Sequence, residues 1–263
     1  MQRVFRRVLE LAAVFLTRPA EFVDRVESLV DRWTDSTAKP TTPPQPAETV
    51  WKLVHSELGL DAAAILNEPA LAATDALLAD RIRAMPVDGP FVVRQLAEKM
   101  LGHVAYVICR ARHPETVVET GVCYGSMTTY VLSALDANGR GMLHSVDLPS
   151  IMDRKARFVG HFVPERLKRR WSLHLGASRR VLPRVLKEVK SVDVFIHDSL
   201  HTRRNMSREF ATVTPYLAAR AVVLSDDVDD NPAFETWARD AASTWAPVKQ
   251  VERGGSLGIA FVP

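Results

Sequence analysis

From Pro114 onward the chain switches repeatedly between two hydrophobic periods. Short runs rich in β-branched residues read as buried strands: TVVET (116–120), MLHSVDL (142–148), WSLHLG (171–176), VDVFIHD (192–198) and AVVLSDD (221–227). Between them, apolar residues recur at helical spacing in SMTTYVLSALDA, SRRVLPRVLKEV, RRNMSREFATVTPYL and PAFETWARDAAS. The stretches DRKARFVGHF (153–162) and PERLKRR (164–170) are also expected to be helical. Five strand-then-helix units in succession predict a parallel sheet with helices on both faces, doubly wound by right-handed crossovers. The last two strands, APVKQVE and LGIAFV, are separated only by RGGS. That is too short for a crossover, so an antiparallel strand closes a seven-stranded, mostly parallel α/β sheet.

The first 112 residues read differently. Residues 1–34 have the pattern of an amphipathic helix broken or bent at Pro19. DSTAKPTTPPQPAET (35–49) follows, and its prolines predict an extended linker or an arm across the surface. Residues 50–112 carry several helical segments, the clearest being FVVRQLAEKMLGHVAYVICRAR (91–112). The expected organisation is an N-terminal helix and linker at 1–48, a helical cap or lid at 49–112 and a cofactor-binding catalytic domain at 113–263.

Composition narrows this picture in three ways. The 263 residues are 47% hydrophobic and 25% charged, the balance of a globular protein. The net charge of +3 is a weak indicator of partners, since most such excess is solvated surface. Cys109 and Cys123 form no CxxC pair, which disfavours a disulfide framework or thiolate metal site and suits a reducing cytoplasm. The N-terminus imitates a signal peptide, with Arg3, Arg6 and Arg7 ahead of VLELAAVFL, but Glu10 interrupts the run and no small-residue cleavage site follows. It is expected to pack against the body or a second subunit, or to lie on a membrane surface with its arginines near anionic lipid.

In open α/β sheets ligands sit at the carboxyl ends of the strands. The first such end reads VVETGVCYGSMT, with Glu119, Gly121 and Gly125 spaced E-x-G-x-x-x-G and Tyr124 and Ser126 in the same turn. Gly121 permits a sharp turn, and Gly125 permits close backbone approach at the helix start. The second strand ends at Asp147, where a carboxylate can accept both hydroxyls of a ribose. The third ends in Gly176, Ala177 and Ser178, small residues that leave room for an adenine ring. This order resembles the class I S-adenosylmethionine-dependent methyltransferases, over roughly residues 90–263, and the closing hairpin strand distinguishes it from dinucleotide folds. The resemblance implies Glu119, Gly121 and Gly125 near the methionine part of S-adenosylmethionine, Asp147 on the ribose and Ser178 near the adenine.

The fourth and fifth strand ends hold the chemistry. The fourth delivers His197, Asp198 and His201, and the fifth delivers Asp226 and Asp227. Neighbouring strands would bring three carboxylates together, where like charges repel unless a hard divalent cation such as Mg2+ sits between them. A metal lowers the pKa of a bound hydroxyl, and His201 is the candidate base that takes its proton. The D-x-x-H pattern followed by an acidic pair resembles the metal-dependent sugar O-methyltransferases. That resemblance implies Asp198, Asp226 and Asp227 as metal ligands, His201 as base, and a sugar or oligosaccharide acceptor.

Three functions stay open at this point. The favoured one is Mg2+-dependent O-methylation of a sugar hydroxyl. RLKRR, Arg179-Arg180 and Arg203-Arg204 leave an RNA methyltransferase or RNA-binding protein as a second, although the runs lack interleaved aromatics for stacking bases. The third is a cofactor-binding regulatory protein without turnover. Homo-oligomer formation is compatible with all three.

Overall fold

The structure, a computed structural model, describes residues 10–11, 13–35, 37–86, 89–153, 155–252 and 254–263, with the side chain of Arg94 outside that description. Arg3, Arg6 and Arg7 therefore lie outside the described residues. Seven strands form one sheet: β1 (Thr116–Thr120), β2 (Met142–Asp147), β3 (Trp171–Leu175), β4 (Val192–His197), β5 (Leu217–Ser225), β6 (Thr244–Lys249) and β7 (Ser256–Phe261). Their order is β3-β2-β1-β4-β5-β7-β6, and β7 runs antiparallel to both its neighbours. The order reverses between β1 and β4, which opens a crevice at their carboxyl ends, as the alternation of periods predicts.

Period-two alternation decides which face each strand residue meets. Val194, Ile196, Val222 and Leu224 point into one core, while Phe195 and Val223 point into the other. The first core is covered by helices α2 (Thr49–Leu58), α3 (Ala62–Leu66), α4 (Pro69–Arg83), α5 (Lys99–Arg112) and α6 (Ser126–Asn138). The second is covered by α7 (Ser178–Val189), α8 (Arg203–Val213) and α9 (Ala233–Ala241). Residues 49–112 thus share a hydrophobic core with the sheet. Phe195 and Phe210 are fully buried in the second core, and each such side chain contributes about 1.5–3 kcal/mol by leaving water.

Two expected helices differ. The helix expected over 91–112 begins only at Lys99, after a short 3-10 turn at Val93–Gln95. No helix forms among the described residues of 153–162. There the Asp153 side chain accepts the N–H groups of Arg157 and Phe158 at 3.0 and 2.7 Å, and Ala156 and Gly160 take positive φ, so the local turns consume the donors a helix would need. Among the described residues, the crossover from β2 to β3 carries only the 3-10 helix Glu165–Arg170.

The N-terminal part is tied to the body by polar contacts. Helix α1 (Pro19–Trp33) starts with Pro19 at its first turn, where the missing N–H costs nothing. The proline-rich arm beyond it runs extended: Thr41 and Thr42 bond Glu235, and Gln45 bridges to Val248 at the outer edge of β6. No helix among the described residues is long and apolar enough to cross a membrane.

Candidate active site

The site is assembled where β1, β2, β4 and β5 end. The β4–β5 register pairs His197 with Ser225, so Asp198 and Asp226 occupy the next positions across the ladder. Asp198 N–H donates to Thr120 O and Asp226 N–H to His197 O, each at 2.9 Å, which locks both strand ends into the sheet. Asp198, Asp226 and His201 each offer a ligand atom, all within 4.8 Å of one another. Both carboxylates are pushed above the usual range. Burial is the main cause for each, reinforced at Asp198 by the charges of Asp226, Glu119 and Asp227, and at Asp226 by that of Asp227. Gln250, from the β6–β7 hairpin, donates to Asp226 Oδ1 at 2.7 Å.

Asp227 stands one step outside this cluster. It takes a positive φ of 48° and places Oδ2 3.1 Å from His201 Nδ1. The other ring nitrogen, His201 Nε2, is buried, has no hydrogen-bond partner and lies 3.8 Å from Asp198 Oδ1. Burial by itself would lower the His201 pKa, but the hydrogen bond it donates to Asp227 and the charges of Asp226 and Asp227 outweigh it and raise it. The backbone of His201 is held as well, since Asn231 Nδ2 donates to its carbonyl at 3.1 Å.

The donor chemistry fits a divalent cation. Two carboxylates of raised pKa, Asp226 buried and Asp198 partly buried, face each other, with an unpartnered buried imidazole nitrogen beside them. Asp198 and Asp226 would hold such a cation, which would relieve that repulsion, with His201 Nε2 beside it.

Beneath the cluster lies a second set of buried polar groups, of which the sequence pattern offered only His197. His197 is fully buried, with Nδ1 2.8 Å from Glu209 Oε2. Glu209 also accepts from Thr120, Ser199 and Asn205 at 2.5, 2.8 and 3.0 Å. Burial would raise its pKa, yet His197, with Ser178 and Thr120, holds it at about 2. The signal was present as an acid twelve residues after a strand-end histidine, but which of the α8 residues turns inward depends on packing.

The turn after β1 shapes the neighbouring crevice. Gly121 has φ +87°, and a Cβ there would run into the carbonyl of Asp198, so this glycine permits β1 and β4 to end in contact. At Gly125, φ +89°, a Cβ would lie 2.9 Å from Gly160 Cα, so its neighbour is the 153–163 loop. Tyr124 stacks on Phe162 with ring centroids 5.1 Å apart and meets Phe91 edge-on at 5.2 Å. Ser126 opens α6 and is buried. Glu119 is also buried, with both carboxylate oxygens bonded to Thr128 and one to Ser145, and burial lifts its pKa to about 7. It supports the turn from below, and its oxygens are engaged by this chain's own hydroxyls.

Asp147 has the geometry of a ligand group. Its Oδ2 accepts the N–H groups of Val122 and Cys123 at 2.8 and 3.1 Å. Its Oδ1 is buried without a partner, and burial raises the pKa of the carboxyl despite those bonds. An orphaned carboxylate oxygen at this strand end fits a ribose hydroxyl. Gly176, Ala177 and Ser178 lie next to it, tied by Gly176 N–H to Asp147 O at 2.7 Å. Helix α1 runs along this edge: Arg25 donates to Pro149 O at 2.8 Å, and Asp24 pairs with Arg179 and Arg180 just beyond the 176–178 turn.

Comparison with known proteins bears on this geometry. Residues 118–228, from β1 to just past the acidic end of β5, match the family model described as a methyltransferase domain. No curated protein matches the chain in sequence. Among solved structures, the O-methyltransferase of Bacillus cereus in complex with SAH shares 13% identity at a TM-score of 0.56, covering 82% of this chain and 97% of its own. TomG of Streptomyces achromogenes, an O-methyltransferase of tomaymycin synthesis in complex with SAM, shares 15% at 0.55, covering 74% and 90%. The SAH-bound methyltransferase PaMTH1 of Podospora anserina shares 12% at 0.51, covering 85% and 99%. With its seven strands in this order and a methyltransferase domain matched over residues 118–228, the chain has the Rossmann-like methyltransferase fold.

Proposed function

We propose that this protein is an S-adenosylmethionine-dependent O-methyltransferase that uses a divalent cation, Mg2+ in the first instance, to methylate a hydroxyl of a sugar or oligosaccharide. The observation that carries this reading is the convergence of Asp198, Asp226 and His201 beside the crevice that holds Asp147. S-adenosylmethionine would supply a methyl group on a sulfonium, transferred by in-line displacement. A divalent cation held by Asp198 and Asp226 would supply Lewis acidity that lowers the pKa of an acceptor hydroxyl.

The chain's own residues have the following roles. Asp147 offers Oδ1 to the ribose while its Oδ2 fixes the turn after β1. His201 offers Nε2 to the acceptor proton. Asp227, bonded at Nδ1, holds the ring in that orientation and stabilises the imidazolium once formed, as carboxylates do for catalytic histidines elsewhere. Asp227 is thus assigned to the base, where the sequence resemblance implied a metal ligand. Gln250 fixes one oxygen of Asp226. Holding the acceptor oxygen in line with the methyl group supplies much of the rate by itself.

The basic runs favour a small acceptor over RNA. Arg166 and Arg169 pair with Asp136, Arg179 and Arg180 with Asp24, and Arg204 with Asp31. Charges already paired within the chain attract phosphate weakly. A reducing cytoplasm suits the two free cysteines.

The test is turnover of S-adenosylmethionine with a panel of glycosides, with and without chelator. Chelator-sensitive methylation of a sugar hydroxyl is the expected result. Methylation at full rate in chelator would remove the cation from the mechanism. Cofactor binding without any product would favour the regulatory reading.

A further inference from the structure

Helix α1 is docked with the wrong side outward for an ordinary surface helix. Its four acidic residues all turn to partners. Glu21 pairs with Arg18 and Arg25, Asp24 with Arg179 and Arg180, Glu27 with Arg179, and Asp31 with Arg204 and Arg208. Asp24 and Asp31 are almost fully buried, whereas Trp33 is 88% exposed and Leu29 58%. Val23, Val26 and Val30 share the outward stripe with them at intervals of three, four and seven residues. Phe15 and Leu16 extend it toward the N-terminus. An amphipathic helix normally buries its apolar stripe in the protein core and leaves its charges in water. Here Asp24 and Asp31 face the protein and the apolar stripe faces outward.

The exposed charge beside the stripe is mainly positive. With Asp24 and Asp31 buried against the protein, the helix presents the apolar stripe flanked by the exposed arginines Arg18, which also reaches Glu21, and Arg32. The 18 residues ahead of it in sequence contain four arginines and one acid, Glu10. We propose that this face docks on an anionic lipid surface, with the stripe of Val23, Val26, Leu29, Val30 and Trp33 inserted at the headgroup boundary and the arginines at the phosphates. Apolar burial plus electrostatic attraction is the physics of such interfacial helices, and Trp is favoured at that depth. A second copy fits less well. Antiparallel pairing of two such faces sets Arg18 of one copy beside Arg32 of the other, like against like. The proposal is independent of the reaction assigned to the crevice.

Sedimentation of the full chain with vesicles tests it. Vesicles of phosphatidylcholine with phosphatidylglycerol are compared with pure phosphatidylcholine at low and high salt. The expected result is binding to the anionic vesicles, at least tenfold weaker on the neutral ones and weakened by salt. Trp33→Glu and Leu29→Glu, each at an exposed position, are expected to lower that binding at least tenfold while leaving thermal unfolding unchanged. Absence of binding, equal binding to both vesicle types, or binding unaffected in both variants would overturn the proposal. Equilibrium sedimentation is the companion measurement: a lipid-free dimer that Trp33→Glu dissociates would assign the face to a second copy and overturn it too.

Discussion

Asp198 and Asp226 end neighbouring parallel strands one position past the His197–Ser225 pair, and burial makes both carboxyls hold their protons more tightly, aided at Asp198 by the charge of Asp226 and at Asp226 by that of Asp227. Their folded-state pKa values are raised, so without a cation the native state binds more protons than the unfolded chain in the range above the ordinary carboxylate pKa. Stability from this pair is therefore lost as pH rises through that range. We expect Asp198→Asn to raise the Tm of the cation-free protein at pH 7. We expect Mg2+ at about 100 times its Kd to raise the wild-type Tm by roughly 5 °C, the equivalent of about 2.7 kcal/mol, and to leave the variant unmoved. Scanning calorimetry with and without chelator reads both effects.

His201 and Asp227 should separate chemistry from cation binding. Removing the base by His201→Gln is expected to lower kcat about 10²–10⁴-fold. Asp227→Asn should also lower kcat, while cation affinity by titration calorimetry stays within about threefold, because this side chain acts through the imidazole. A large loss of cation affinity in Asp227→Asn would return it to the ligand set.

Glu209 gives the pH dependence of the scaffold. Its folded pKa, about 2, lies below the ordinary carboxylate value, so the stability it provides is fully present above that ordinary value and is lost as pH falls toward 2. Breaking one side of a buried pair costs about 3–5 kcal/mol. Glu209→Gln is expected to lose stability of that order at pH 7 and to flatten the acid limb of the stability curve, measured by urea unfolding between pH 2 and 7.

The orphaned oxygen of Asp147 predicts a cofactor phenotype. Asp147→Asn keeps one oxygen for the Val122 and Cys123 amides and removes the charged acceptor. A charge-assisted hydrogen bond is worth about 1.5–3 kcal/mol, so affinity for S-adenosylhomocysteine should fall roughly 10- to 150-fold by calorimetry.

How far these features were legible in the sequence depends on how far apart the contributing residues lie. The strand ends carrying Asp147, Asp198 and Asp226 were legible because an apolar run terminated by an acid marks both the strand and the edge at which it stops. The stretch 153–162 misled because Phe158 and Phe162 recur at helical spacing, yet Asp153 captures the local N–H groups and both rings pack around Tyr124. Gln250 could not be found, since its bond to Asp226 depends on how the hairpin folds back. Helix α1 was legible as amphipathic, but a periodic pattern says only that two kinds of residue segregate. Which side meets the protein was decided by Arg179, Arg180 and Arg204, more than 140 residues later in the chain.

Gln45 completes the sheet. Its N–H donates to Pro247 O and its carbonyl accepts from Lys249 N–H, at 2.8 and 2.9 Å, so a short piece of the proline-rich arm occupies the outer rim of β6. Unpaired rims are where sheets of different molecules join. A chain trimmed before residue 49 would offer that rim to its neighbours, and its first symptom would be aggregation on storage, ahead of any defect in the crevice.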